Sequence, residues 1–311
     1  MVSKNPMMGL IFLSQTALGV LGNCACLGYF ILTTIMGRRA KPTDLIVKHL
    51  TLANFVVLLF KGIPQTMASF GLIYFLDEVS CILVFYFYRV ARGVSLGSTS
   101  VLSIFQAIMI SPHNSKWVRF KVRDPKFIGS SLGLCWALQL FLNALVPMTV
   151  TDIWGTRNMT VLRDLVYCAL VDPDNMHQPV YMFLLVFIDV MCVGLVLWAS
   201  GSVVIILWKH KQRVQHLHTS LSPWSLPEFR ATKSILALVI IFLLLYTASS
   251  ILTACFHFFD VTSVWMLNAK VAMSACYPAF YPFLLLSHYS TASQLCCTCA
   301  YQTALGPHIV R

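Results

Sequence analysis

Of the 311 residues, 58% are hydrophobic and only 11% are charged, and the mean hydropathy is +0.76. That composition excludes a soluble globular domain and a disordered chain, and it predicts a polytopic membrane protein. The net charge of +11 comes from 22 Lys and Arg against 11 Asp and Glu. It falls in short segments between apolar stretches, where it reports orientation and does not point to nucleic acid.

Charges are scarce enough that the gaps between them mark the membrane segments. Asn5 to Gly37 is free of charge between Lys4 and Arg38, and a span needs about 20 apolar residues. The same reading along the chain predicts seven spans near 7–36, 46–75, 82–110, 127–150, 180–208, 231–259 and 264–286, with 287–311 as a short tail. Each is expected to be a helix, because a backbone in lipid must satisfy its own hydrogen bonds. The expected fold is therefore an all-α bundle of seven transmembrane helices, in one domain. The first span reads as an uncleaved signal anchor, being longer than a signal-peptide core.

The connecting segments sort by sign. After spans one, three and five come Arg38, Arg39, Lys41 and Lys48; Lys116, Arg119, Lys121, Arg123 and Lys126; then Lys209, Lys211, Arg213, Arg230 and Lys233. The opposite side holds Asp77, Glu78, Asp152, Asp164, Asp172, Asp174 and Asp260, with few cations. Cytoplasmic loops are rich in Lys and Arg, so the N-terminus is expected outside and the C-terminus in the cytoplasm. No loop is long enough for a folded domain. A small-molecule site must then lie within the bundle, and a macromolecular partner must read the basic inner loops.

There are 11 cysteines, most of them inside spans as small core residues. Cys81 at the outer end of span three and Cys168 in the long outer loop lie on the oxidising side and are expected to form a disulfide. The same loop carries Asn158-Met159-Thr160, an N-glycosylation acceptor on the side assigned as external. Cys296, Cys297 and Cys299 follow the last span and are positions for palmitoylation; a zinc site there lacks a second Cys/His pair at metal spacing.

Five charged residues fall well inside the spans: Lys61, Arg89, Arg92, Asp189 and Lys270. Each is costly in lipid and marks a functional position by default. Arg89 and Arg92 lie about 12 and 16 Å below the outer end of span three. At spacing i, i+3 they are expected on one face. Asp189, at similar depth, is expected to pair with one of them. Lys61 and Lys270 either snorkel to the outer headgroups or contribute to a cavity. With Tyr86, Tyr88 and Tyr246 at similar depth, the sharper expectation is an electropositive, aromatic-lined cavity open to the outside, taking a small amphipathic or anionic ligand at Lys61, Tyr88, Arg89, Arg92, Asp189, Tyr246 and Lys270. Pro64, Pro147, Pro278 and Pro282 interrupt backbone hydrogen bonding and permit kinks.

The sequence has no Gly-rich phosphate loop and no HExxH, and no enzyme is expected. Gly93-Val94-Ser95-Leu96-Gly97 matches a hydrolase elbow by letters, but lies in mid-span and not in a strand-turn-helix. No cofactor or metal is expected.

Several strings are more specific than a generic membrane pattern. Ile11-Phe12-Leu13-Ser14-Gln15-Thr16, Leu52-Ala53-Asn54, Lys61-Gly62-Ile63-Pro64-Gln65-Thr66-Met67 and Arg89-Val90-Ala91-Arg92-Gly93-Val94-Ser95 are among them. So are Ile110-Ser111-Pro112, Leu197-Trp198-Ala199-Ser200-Gly201-Ser202 and His210-Lys211-Gln212-Arg213-Val214-Gln215-His216. Together they resemble the vomeronasal type 1 receptors, over residues 9 to 290. The resemblance implies a G-protein-coupled receptor for small-molecule pheromones at the plasma membrane of sensory neurons. It implies an inhibitory-class heterotrimeric G protein as partner; membrane lipid surrounds the bundle, and the sequence leaves monomer and receptor dimer open. Lys116, Arg119, Lys211, Arg213, Arg230 and Lys233 would flank the G protein. Tyr88 departs from the family, where His is common before the Arg-Val-x-Arg run, and ligand tuning is the expected consequence. The rival classes are a non-signalling trafficking partner for other chemoreceptors and a small-solute transporter; no internal repeat of the transporter kind is present.

Overall fold

The computed structural model describes residues 6–37, 42–72, 75–111, 125–144, 150–151, 161–165, 167–171, 177–217, 236–237, 239–249, 251 and 268–286. Its helical segments are α1 (Pro6–Ile35), α2 (Pro42–Ser69), α3 (Glu78–Ile110), α4 (Pro125–Leu142), α5 (His177–Leu217), α6 (Val239–Ser249) and α7 (Asn268–Leu286). Among the described residues α1, α2, α3, α7 and the Val186–Lys209 part of α5 are long and apolar enough to cross a membrane, while the described parts of α4 and α6 are shorter apolar helices. Large apolar side chains such as Leu21, Ile35, Phe141, Phe183 and Trp208 cover the outside of the bundle, which is the surface expected of a protein solvated by lipid.

The buried residues of α1 are Gly9, Phe12, Thr16, Gly19, Gly22, Asn23, Cys26 and Phe30, a single stripe at helical spacing. Its small residues let neighbouring backbones come close. A Cβ on Gly19 would stand 2.6 Å from Leu58 Cδ1 and 2.9 Å from Ala279 Cα, and one on Gly22 would stand 2.6 Å from Pro282 Cγ. The Asn23 amide donates to the Pro278 carbonyl at 2.9 Å. Pro282 has no N–H to offer that carbonyl, so Asn23 supplies the missing partner.

α2 contains one turn of π-helix, Leu58–Gly62, just before Pro64. The physical cause is the same: proline cannot donate to Phe60, and the Ile63 N–H reaches back to the Leu58 carbonyl instead. The helix stops at Ser69, not at the expected 75. Gly71 takes φ 98°, and the Leu72 N–H bonds the Met67 carbonyl at 3.1 Å while that of Gly71 bonds Ala68 at 2.9 Å. That is a glycine-centred helix stop.

α3 begins at Glu78, ahead of the expected 82, because Asp77 caps it: its carboxylate accepts from the Ser80 N–H at 3.1 Å. Those bonds hold the Asp77 carboxyl below its ordinary pKa. From Gly93 to Ser100 every residue is buried, which makes α3 the axis of the bundle. Thr99, Ser100 and Ser103 return their hydroxyls to carbonyls one turn back, the low-cost fate of a hydroxyl inside a membrane helix.

α4 also ends early, at Leu142 against the expected 150. A proline at 147 is incompatible with a helical carbonyl at Asn143, and Asn143 and Ala144 form a turn. Val150 lies in a strand. The expectation of purely helical structure therefore gains an exception between α4 and α5, where β1 (Val150–Thr151), β2 (Val161–Leu165) and β3 (Cys168–Val171) form an antiparallel sheet in the order β1-β3-β2. Short runs of valine and leucine satisfy their backbone groups this way outside the helices. The sheet is fastened to α3 by the expected Cys81–Cys168 disulfide. Beside it Tyr167 is buried against Phe75 and Phe85, and burial pushes its phenol pKa up. α5 runs beyond the expected 208 to Leu217, since Lys, Gln and Arg continue a helix well and no Gly or Pro intervenes.

Candidate functional site

Of the charged residues expected inside the bundle, Arg92 lines a cleft between α2, α3, α6 and α7. The cleft is partly open to its surroundings. Tyr88 and Arg92 of α3, Phe242 and Tyr246 of α6, and Met273 and Tyr277 of α7 line it. Its deeper lining is polar and neutral, with Asn54 and Ser95, and Ser249 and Ser274 add hydroxyls to its walls.

Asp189 of α5 pairs with Arg92 and not with Arg89. Arg92 Nη2 stands 3.7 Å from Asp189 Oδ2, and the Tyr246 hydroxyl donates to the same oxygen at 2.6 Å. The Arg92 guanidinium also lies 5.0 Å from the centre of the Tyr246 ring, a cation–π distance. One cation, one anion and one phenol thereby join α3, α5 and α6.

Lys61 is directed at α3. Its ammonium donates to the Tyr88 hydroxyl at 2.8 Å and lies 4.3 Å from the centre of that ring. It stands behind Tyr88 and does not line the cleft itself. The charge of Lys270 acts on Tyr88 from α7.

The expected shared face of Arg89 and Arg92 is a correction. Two residues at i and i+3 differ by about 60° around a helix, and here that is enough to send them to different neighbours. Arg89 Nε donates to Asn143 Oδ1 of the α4 turn at 3.1 Å, and Asn143 is held by Gln139. Tyr86, also expected at the cavity, bonds the Leu140 carbonyl at 3.2 Å. Both belong to the α3–α4 contact. The structure thus brings Tyr88, Arg92 and Tyr246 to the cleft wall, sets Lys61 and Asp189 behind them, and leaves Arg89 outside it.

Neutral residues were missed, because gaps between charges say nothing about them. Asn54 Oδ1 accepts from the Ser95 hydroxyl at 2.9 Å, while among the described residues Asn54 Nδ2 and the buried Tyr277 hydroxyl make no well-formed hydrogen bond, the phenol lying beside Asn54 and Thr99. An amide in the middle of an apolar run was the signal that could have found the floor.

Other expected positions lie outside the described residues: Asn158, Lys116, Arg119, Arg230, Lys233, Cys296, Cys297 and Cys299, and the side chains of Lys211 and Arg213.

The sequence profile of the vomeronasal organ pheromone receptor family matches residues 6–298. The chain belongs to that family. It is similar to human vomeronasal type-1 receptor 4, 45% identical over 95% of this chain and 98% of the relative, and to human vomeronasal type-1 receptor 3, 41% identical over the whole of both. A zebrafish relative, olfactory receptor class A-like protein 1, is 29% identical over 90% of this chain and 88% of its own. Among solved structures, squid rhodopsin superposes with a TM-score of 0.69 at 14% identity, covering 98% of this chain and 87% of its own. That likeness shows the fold. The vomeronasal chain is therefore a seven-helix membrane receptor and belongs to a receptor family, not an enzyme family.

Proposed function

We propose that this vomeronasal receptor binds a small pheromone-like molecule in the outer cleft and activates an inhibitory-class heterotrimeric G protein from the plasma membrane. The observation that carries this is the junction of Arg92, Asp189 and Tyr246, which ties α3, α5 and α6 together at the cleft wall. A ligand that contacts Arg92 or Tyr246 competes with that junction. Binding then favours a second packing of α5 and α6 to the extent that the ligand prefers it. Lys116, Arg119, Lys211, Arg213, Arg230 and Lys233 would face the G protein on the inner side. An N-terminus outside and a C-terminus in the cytoplasm agree with the basic inner segments and with a disulfide on the oxidising side.

The test is activation of an inhibitory-class G protein in cells displaying the receptor, screened with small volatile and amphipathic compounds. Wild type and Arg92→Ala are compared at matched surface expression. A response that is lost in the variant supports the cleft; equal potency in both sinks it.

A further inference from the structure

The two phenols of the cleft wall are wired in opposite directions. An ammonium only donates hydrogen bonds, so the 2.8 Å contact at Tyr88 runs from Lys61 to the phenol oxygen. A carboxylate only accepts, so the 2.6 Å contact at Tyr246 runs from the phenol to Asp189. Tyr246 has committed its proton. Tyr88 has kept its own: its oxygen is engaged, its O–H meets no acceptor among the described residues, and the residue lines the cleft. Arg92 beside it has donors and no acceptor. The α3 wall therefore shows the cleft hydrogen-bond donors.

Lys61 enforces this polarity from behind. Its ammonium touches both the hydroxyl and the face of one ring, and the π turn that carries it places it there. Without that ammonium the Tyr88 hydroxyl is free to rotate and present its oxygen instead.

We propose that the cleft selects ligands by a hydrogen-bond acceptor, a carbonyl or other oxygen with no proton to give, docked on the Tyr88 O–H, and that Lys61 is the positioning residue that sets this preference. The proposal rests on the reading of the cleft as the ligand site. It assigns Lys61 a part in selectivity although Lys61 does not line the cleft.

The experiment uses purified full-length receptor in lipid nanodiscs and follows ligand-induced shifts of its melting curve. The probes are size-matched rigid pairs, camphor with bornane and cyclododecanone with cyclododecane. In wild type at least one ketone is expected to act at a concentration about tenfold or more below its hydrocarbon, the ratio that one well-placed hydrogen bond supports. Tyr88→Phe and Lys61→Met both remove most of that ratio, and Lys61→Arg retains it. Lys61→Gln, whose amide both donates and accepts, replaces the methionine variant if the latter does not fold. A wild type in which no ketone outranks its hydrocarbon, absence of any shift included, overturns the proposal. So does a Lys61→Met protein with the wild-type ratio. G-protein silence in a receptor that keeps the ketone preference would instead defeat the signalling reading alone.

Discussion

Between Tyr88 and Arg92, α3 meets its neighbours through charge and phenol: Lys61, Tyr246 and Asp189 surround it beside an open cleft. Between Gly93 and Ser103, the same helix meets them through glycine, hydroxyls and close packing. A Cβ on Gly93 or Gly97 would overlap the side chain of Gln139 or Cys135, and the Ser100 hydroxyl reaches the Cys192 carbonyl at 3.2 Å. The first region is held by directional contacts that a ligand can replace. The second is held by shape, which yields only at the cost of overlap. A receptor needs both, one part to change and another to transmit the change without absorbing it.

The difference can be broken from either side. The largest effect is expected on removing the strap over the outer region: Cys81→Ser with Cys168→Ser opens a closed loop of 87 residues. Loss of that constraint corresponds to about 4 kcal/mol, read as loss of most surface receptor and a lower melting temperature. Next is Gly22→Val, whose new atoms would run into Pro282 at a cost of about 3 kcal/mol. Gly194→Ala is the control, because nothing lies within 4 Å of its Cβ position; helix propensity alone should make it neutral to slightly stabilising.

Asp189→Asn should sharpen the comparison. The pair with Arg92 is about one-third exposed, so its loss is expected to cost only about 1 kcal/mol of stability after solvent screening. Its effect on basal G-protein activity should be proportionally larger than that of Gly22→Val at matched expression. Equal ratios of the two readouts would remove the distinction between a switching and a transmitting region. A double-mutant cycle with Arg92→Gln gives the coupling directly.

The smallest effect is at the α3 cap. The Asp77 carboxyl sits below its ordinary pKa in the folded chain, so its contribution is present above the unfolded value of about 3.9 and is lost as pH falls through the folded one. The melting-temperature difference between wild type and Asp77→Asn should stay constant from neutral pH to about 5 and change only in stronger acid. Asp77→Ala should lower the melting temperature at neutral pH by less than any of the destabilising changes above.

Much of this was readable in the chain before its folding. Charges are expensive in lipid, so their absence marked the helices, while of the five charges inside the spans only Arg92 lines the cleft; Asp189 had only two arginines within depth, and one of them is its partner. Which one was not legible, because the choice turns on about 60° of rotation and on an amide at Asn143 beside the early end of α4. The neutral floor of Asn54 and Ser95 carries no charge to mark it. Local backbone exceptions were missed for a related reason. Pro64 announces a lost hydrogen bond, but whether the chain kinks or widens its turn depends on what packs against it. Here Thr16 of α1 lies where a Cβ on Gly62 would fall.

The widened turn at Leu58–Gly62 also makes α2 unusually tolerant of a change in length. A π turn takes up one extra residue within a helix that continues as α-helix on both sides. A relative one residue shorter here, with an ordinary residue in place of Pro64, would run as plain α-helix with both flanks facing as they do now. Only the lysine behind the phenol would be displaced. An insertion or deletion at this one turn is thus a route by which the selectivity of the cleft could diverge among relatives while the rest of the bundle stays the same.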